Sequence, residues 1–181
     1  MRKIAVFALA VALVALPAVV VAQTATPPPS TSNGFSGASE AVALHYAGEW
    51  SPATDVTQSF DFLDFGKTKT NHIYLEGHEL IAPTPGFNIY AGGLKFEPDL
   101  SSLFKKTNVQ AGSFSAFFNG SAGNGVPSAG GSHISFLLGG GVKYNVTSNL
   151  SWQSLQAQYG RFGSNQFVVI STGLSFIFAG K

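Results

Sequence analysis

From Ser132 to Val146 the chain alternates between apolar and polar positions. Ile134, Phe136, Leu138, Gly140, Val142, Tyr144 and Val146 share one face, and His133, Ser135, Gly139, Gly141, Lys143 and Asn145 share the other. Successive side chains of a strand point to opposite sides, so this period of two predicts a strand with one apolar and one polar face. Val168–Phe178 repeats the pattern, with Val168, Ile170, Thr172, Leu174, Phe176 and Phe178 opposite Val169, Ser171, Gly173 and Ser175. Ser113–Ala122 sets Phe114, Ala116 and Phe118 against Ser113, Ser115, Asn119 and Ser121, and Phe87–Phe96 sets Tyr90, Gly92, Leu94 and Phe96 against Ile89, Ala91, Gly93 and Lys95. Ala41–Trp50 places Val42, Leu44, Tyr46 and Trp50 opposite Ala43, His45, Ala47 and Glu49, and a noisier strand is predicted over Asn71–Ala82. In Leu150–Arg161 the phase shifts between Trp152 and Leu155, which predicts a β-bulge.

Charge decides what these strands face. Charged residues make up 10% of the chain, against about 25% in soluble domains. Between Thr107 and Gly180 only Lys143 and Arg161 are charged. Gly, Ser, Asn and Gln interrupt every apolar run there well before the roughly 20 residues a transmembrane helix needs. A charge-poor stretch that is apolar only at alternate positions suits a closed β-barrel, with lipid outside and polar groups inside. The chain has no cysteine, so neither a disulfide framework nor a lipid-modified N-terminal cysteine is available.

Residues 1–22 read as a secretory signal peptide: Arg2 and Lys3 precede an apolar run from Ile4 to Val21, and Val20-Val21-Ala22 offers small residues for cleavage before Gln23. Without Arg2 and Lys3 the chain keeps eight basic residues against nine acidic ones, a net charge of −1 that gives no electrostatic case for nucleic acid. Residues 23–39, rich in Pro, Thr and Ser, are expected to form a flexible tether, and residues 40–181 the barrel.

The last strand carries the most specific signal. Ser171-Thr172-Gly173-Leu174-Ser175-Phe176-Ile177-Phe178 runs polar-x-Gly-x-x-aromatic-x-aromatic. It resembles the C-terminal assembly signal of bacterial outer-membrane β-barrel proteins, the group that includes the small OmpA-, OmpX- and OmpW-like barrels. Ala179-Gly180-Lys181 follow the aromatic residue that usually ends the chain in that group. The resemblance implies an all-β, eight-stranded, antiparallel up-and-down transmembrane barrel in the outer membrane, a monomer among outer-membrane lipids, recognised by the barrel-assembly machinery through Ser171, Gly173, Phe176 and Phe178. Single-chain bacterial barrels have an even number of strands and periplasmic termini. An eighth strand is therefore needed, and Gln58–Phe65 is the best candidate, although its alternation breaks at Leu63. The outer loops are then expected near 51–57, 83–86, 123–131 and 162–165, and the inner turns near 66–70, 97–109 and 147–149, with a short helix possible over Leu100–Lys106.

This topology turns His45, Glu49, Glu76, His78, Lys95 and Lys143 toward the lumen. An eight-stranded barrel is just wide enough to be filled by side chains, and buried charges must be paired. These residues are therefore expected to form a polar plug. A metal site is not supported: His72 and His78 lie about 20 Å apart along a strand, and Glu76 with His78 provides too few ligands. No metal or other cofactor is expected. Tyr46, Trp50, Tyr90, Tyr144, Trp152 and Tyr159 suit aromatic girdles at the membrane interfaces. There is no G-x-S-x-G element, no HExxH motif and no Ser/His/Asp set on matching faces, so an enzyme is not expected. Gly139-Gly140-Gly141 lacks the lysine of a phosphate loop. Three functions fit the pattern: a structural or surface-interaction barrel with a filled lumen; a narrow channel for small or apolar solutes, lined by Phe117 and Leu137; and a soluble periplasmic lipocalin-like binder.

Overall fold

The computed structural model describes residues 35–65, 71–98, 100, 112–147 and 149–178. Eight strands form, β1 (Phe35–Tyr46), β2 (Glu49–Phe65), β3 (Asn71–Ala82), β4 (Phe87–Glu97), β5 (Phe114–Pro127), β6 (His133–Asn145), β7 (Leu150–Phe162) and β8 (Asn165–Phe178). Each pairs antiparallel with its neighbours in sequence, and β1 pairs with β8 from Phe35↔Phe178 to Tyr46↔Phe167, which closes the barrel. Closure leaves no sheet edge with unpaired backbone groups.

The even strand count and the Gln58–Phe65 strand are both present, but β2 is much longer than expected. The residues expected to form the first outer loop, 51–57, are strand, and the β1–β2 hairpin turns at Ala47-Gly48. Both turn residues have positive φ, 51° and 86°, the backbone that a tight two-residue hairpin requires. β1 also begins early: Phe35–Ser39, expected in the tether, pair with Phe60–Val56 of β2 and with Phe178–Leu174 of β8. Pairing on both sides holds these residues even though the side chains of Ser36, Gly37, Ala38 and Ser39 are small. The expected signal peptide and the rest of the expected tether lie outside the described residues, as do the turn expected at 66–70 and all but Leu100 of the helix expected over Leu100–Lys106.

Two bulges adjust the alternation. On β7 the register shifts between Gln153 and Gln156, which leaves Ser154 as the extra residue, where the phase change predicted it. On β2 the shift lies between Asp61 and Leu63, so Phe62 and Leu63 both face outward, 61% and 48% exposed. That bulge is why the alternation fails at Leu63.

The outer surface is apolar over the middle of the barrel. Ile134, Phe136 and Leu138 of β6 are 66%, 54% and 68% exposed, and Phe118, Phe176 and Phe178 are comparably bare. From Ile134 to Tyr144 this belt covers about 25 Å of height at ~3.4 Å per residue and a strand tilt of roughly 40°. The four connections at the end opposite the chain termini are 47–48, 83–86, 128–132 and 163–164. Hereafter this is the loop end, and the other the terminal end.

Candidate functional site

The interior has two storeys. At the loop end Val42, Leu44, Leu80, Ile89, Phe167 and Val169 are at most 2% exposed and form one apolar cluster with Phe87, Leu137 and Phe162. Phe87 stacks on Phe162 with ring centroids 5.3 Å apart and tilts against Phe167 at 5.9 Å. These rings need glycine on the wall beside them: a Cβ on Gly125 would overlap the Phe162 ring, and one on Gly160 would overlap Phe167.

Below that layer the inner face turns polar, and four strands bring charges together. Inward positions of β3 carry Glu76 and His78, β2 carries Asp55 and Ser59, β4 carries Lys95 and Glu97, and β6 carries Lys143. His78 Nε2 lies 3.0 Å from Glu76 Oε2 and its Nδ1 lies 3.4 Å from Asp55 Oδ2. Lys95 Nζ lies 3.2 Å from Glu76 Oε1 and 3.9 Å from Glu97 Oε1, over the Tyr74 ring at 4.8 Å. Lys143 Nζ grips the Glu97 carboxylate at 2.7 Å. Neutral donors complete the set: Ser59 Oγ donates to Glu76 Oε1 at 3.1 Å and Asn119 Nδ2 to Glu76 Oε2 at 3.2 Å. At one side Ser171 Oγ donates to Glu40, and the Gln156 amide, oriented to satisfy its neighbours, donates to both Glu40 oxygens at 3.2 Å. Nearer the terminal end His72 Nδ1 meets Asp61 Oδ2 at 3.2 Å, and the Asn145 side chain links Ser113 and Ser151.

Of the six residues expected in the lumen, Glu76, His78, Lys95 and Lys143 are inside. His45 and Glu49 are corrections. His45 is on the outer face of β1, its ring 4.9 Å from that of Trp50, and Glu49 is exposed at the start of β2 beside the first turn. The face of β1 is inverted because the inner wall at the loop end is itself apolar, so Val42 and Leu44 belong inside. Apolarity alone cannot tell a dry core from lipid. Glu40 could have settled it: it shares parity with Val42 and Leu44, and a carboxylate cannot face hydrocarbon cheaply. The buried ionisable residues Glu40, Asp55, His72 and Glu97, and the half-buried Asp61, are additions to the expected polar plug.

Tyr46 is a third correction. It faces inward, edge-on to Phe87 at 5.3 Å, because it continues the inward parity of Val42 and Leu44. Trp50, Tyr90, Trp152 and Tyr159 are outward and 43–56% exposed. Tyr144 is half-buried against Phe114, with ring centroids 4.9 Å apart. Among the assembly-signal residues, Phe176 and Phe178 are outward, Ser171 is buried, and Gly173 faces inward where a Cβ would run into the backbone of Ser39. Phe117 and Leu137, the expected lining of an apolar channel, are 2% and 3% exposed within packed surroundings.

Apart from Glu40, which meets the neutral donors Ser171 and Gln156, the charged groups are closely paired, and the nearest apolar layer separates them from the loop end. This arrangement can neutralise and fill a lumen. The molecule is a small eight-stranded up-and-down barrel with a filled interior and an apolar outer belt.

A solved structure shares this fold, and others are similar to it at lower scores. Neisserial surface protein A matches with a TM-score of 0.52 and 12% identity, over 82% of this chain and 98% of that one. The N-terminal β-barrel domain of Pseudomonas aeruginosa OprF matches with a TM-score of 0.45 and 14% identity, over 81% and 99%. Ail, the attachment invasion locus protein of Yersinia pestis, matches with a TM-score of 0.44 and 12% identity, over 81% and 97%. No protein-family model and no curated protein sequence matches the chain.

Proposed function

We propose that this protein is an integral outer-membrane barrel, exported through a cleaved signal peptide, whose closed lumen gives it a structural or surface-interaction role. The observation that carries the reading is the apolar storey. Val42, Leu44, Leu80, Phe87, Ile89, Phe162, Phe167 and Val169 fill the loop end, and none is more than 5% exposed. An ion crossing that layer would shed its hydration without any compensating ligand. The bare outer belt supports lipid contact. In water, so large an exposed apolar surface would drive association, which argues against the lipocalin-like binder. Assembly through the barrel machinery, with the Ser171–Phe178 pattern as its signal, follows from the same reading.

The four tight connections at the loop end favour a structural role over adhesion through long loops. Pro83–Gly86 is closed by the Gly86 amide donating to Ala82 O at 2.9 Å, and Ser128 Oγ donates across to Gly86 O at 2.9 Å.

Planar-bilayer conductance of the refolded protein tests the reading, with a heat-dependent shift in gel mobility as the check for a folded barrel. A heat-modifiable, electrically silent barrel is the expected outcome. Steady single-channel current would overturn the closed lumen and restore the narrow-channel function. A soluble protein that does not enter bilayers would overturn the membrane reading altogether.

A further inference from the structure

The charges inside the barrel do not balance. Among the described side chains, the carboxylates of Glu40, Asp55, Asp61, Glu76 and Glu97 line the interior against His72, His78, Lys95 and Lys143. Even with both imidazoles charged, five negative groups face four positive ones. Asp61 meets His72, Asp55 and Glu76 meet His78, Glu76 meets Lys95, and Glu97 meets Lys143. Glu40 is the carboxylate with no cationic partner among the described residues, and it is 1% exposed. A carboxylate buried that deeply is costly unless something compensates its charge.

The groups around Glu40 are oxygen-rich. Glu40 stands opposite Gly173 on β8, and Gly173 stands opposite Gln153 on β7. A Cβ on Gly173 would come within 2.8 Å of Glu40 Cγ, so the missing side chain lets Glu40 lie across β8 toward β7. There Gln153 and Gln156, on either side of the bulge, both turn inward and are 5% and 2% exposed. The inner end of the Gln156 amide lies 3.1 Å from Gln153 Oε1 and 3.2 Å from each Glu40 oxygen, and Ser171 Oγ meets Glu40 Oε2. With its nitrogen inward, that amide solvates the carboxylate but adds no charge. With its oxygen inward, five oxygens from Glu40, Gln153, Gln156 and Ser171 converge on one point. Gln158, whose Oε1 is buried with no hydrogen-bond partner among the described residues, is placed to follow by presenting that oxygen to the Gln156 N–H.

We propose that Glu40, Gln153, Gln156 and Ser171 form a binding site for one sodium ion. A single positive charge balances the interior. Sodium has nearly the radius of calcium, and oxygens about 2.3–2.6 Å from a cation of that size stand about 3.3 Å apart or a little more in an octahedral shell. That is close to the spacing around the Gln156 amide, whereas potassium needs a wider ring. The ion enters from the terminal end. Val42 and Val169, both 0% exposed, close the wall above Glu40, and the small polar side chains of Ser36, Ser151 and Ser175 line it below. The site is therefore blind, and the apolar storey on the loop side of it is undisturbed.

Unfolding of the refolded barrel in sodium chloride and in choline chloride of equal ionic strength tests it, together with the side-chain amide NMR signals of protein carrying nitrogen-labelled glutamine. Sodium is expected to raise the unfolding midpoint and to shift the Gln153 and Gln156 amide signals saturably, and choline to do neither. Glu40→Gln, which keeps the shape and removes the charge, should retain the heat-dependent gel shift and lose both responses. Gln156→Leu should weaken the sodium response by at least about tenfold with Glu40 still in place, and it serves as the test if Glu40→Gln does not fold. Identical midpoints in sodium and choline for the wild type, or a sodium response that survives in Glu40→Gln, would overturn the site. Amide signals that move with pH and ignore sodium would give the balancing charge to a proton and overturn it as well.

Discussion

At the scale of single residues, the interior is organised by matching rather than by attraction alone. A buried ion pair contributes modestly in net terms, because removing two charges from water offsets most of their Coulomb attraction. Breaking one is another matter. Lys143→Met leaves the Glu97 carboxylate, gripped by Lys143 at 2.7 Å in the native barrel, with only the longer 3.9 Å contact to Lys95. We expect a loss of about 3–5 kcal/mol in urea unfolding from lipid vesicles, and recovery of much of it in the Lys143→Met/Glu97→Gln double variant. An unchanged single variant would show the pair to be dispensable. Gly160 gives a steric counterpart. Its inner side is occupied by the Phe167 ring, so Gly160→Val should destabilise the barrel by about 1–3 kcal/mol, and Phe167→Ala in the same chain should restore part of the loss. Additive effects of the two changes would refute the contact.

At the scale of strands, alternation was legible where lipid and a polar interior lie on opposite sides of one strand, as on β6, and there the sequence assigned the faces correctly. It failed on β1, where apolar side chains line the inner wall and small residues the outer one. The period of two survives in that strand but its polarity carries no direction, and His45, Tyr46 and Glu49 were misplaced for that reason. The charged network was half visible: Glu76, His78, Lys95 and Lys143 stood out because they interrupt clear patterns. Asp55 did not, because residues 51–57 carry no clear alternation and read as a loop. Bulges mark the other limit. The extra residue on β7 announced itself as a phase change, and Ser154 secures it by donating to Val142 O at 3.0 Å. Deleting Ser154 should leave Gln153, Gln156, Gln158, Gly160 and Phe162 on the inner face, so the barrel should still fold and keep its gel shift. Inserting one residue after Gln158 should turn Gly160 and Phe162 outward and abolish folding. Loss of the gel shift in the deletion variant would contradict the register.

At the scale of the whole molecule, the two storeys divide the work. The charged layer pairs carboxylates with Lys95, Lys143 and His78, and the aromatic layer above it is, on the proposed reading, the seal against water and ions. Removing the seal is therefore a sharper test than removing any one charge. The Phe162→Ala/Phe167→Ala barrel should pass small ions in planar bilayers, whereas Lys143→Met, with the apolar layer intact, should stay silent. A silent double-alanine barrel would place the seal lower, in the charged storey. The share of the architecture that the sequence conveyed is large at this scale, because strand number and closure follow from lipid on one side and the backbone's need for partners on the other.

The shortness of the loop-end turns has a consequence for whatever meets the cell from outside. In the proposed outer-membrane orientation, with the termini on the periplasmic side, the surface shown to an antibody or a bacteriophage is four connections, the smallest being Ala47-Gly48 and Gly163-Ser164. None is long enough to be grasped as a linear peptide. Immune recognition of such a barrel must span several turns at once and would vanish on denaturation, so serum raised against the unfolded chain should bind blots strongly and intact cells hardly at all.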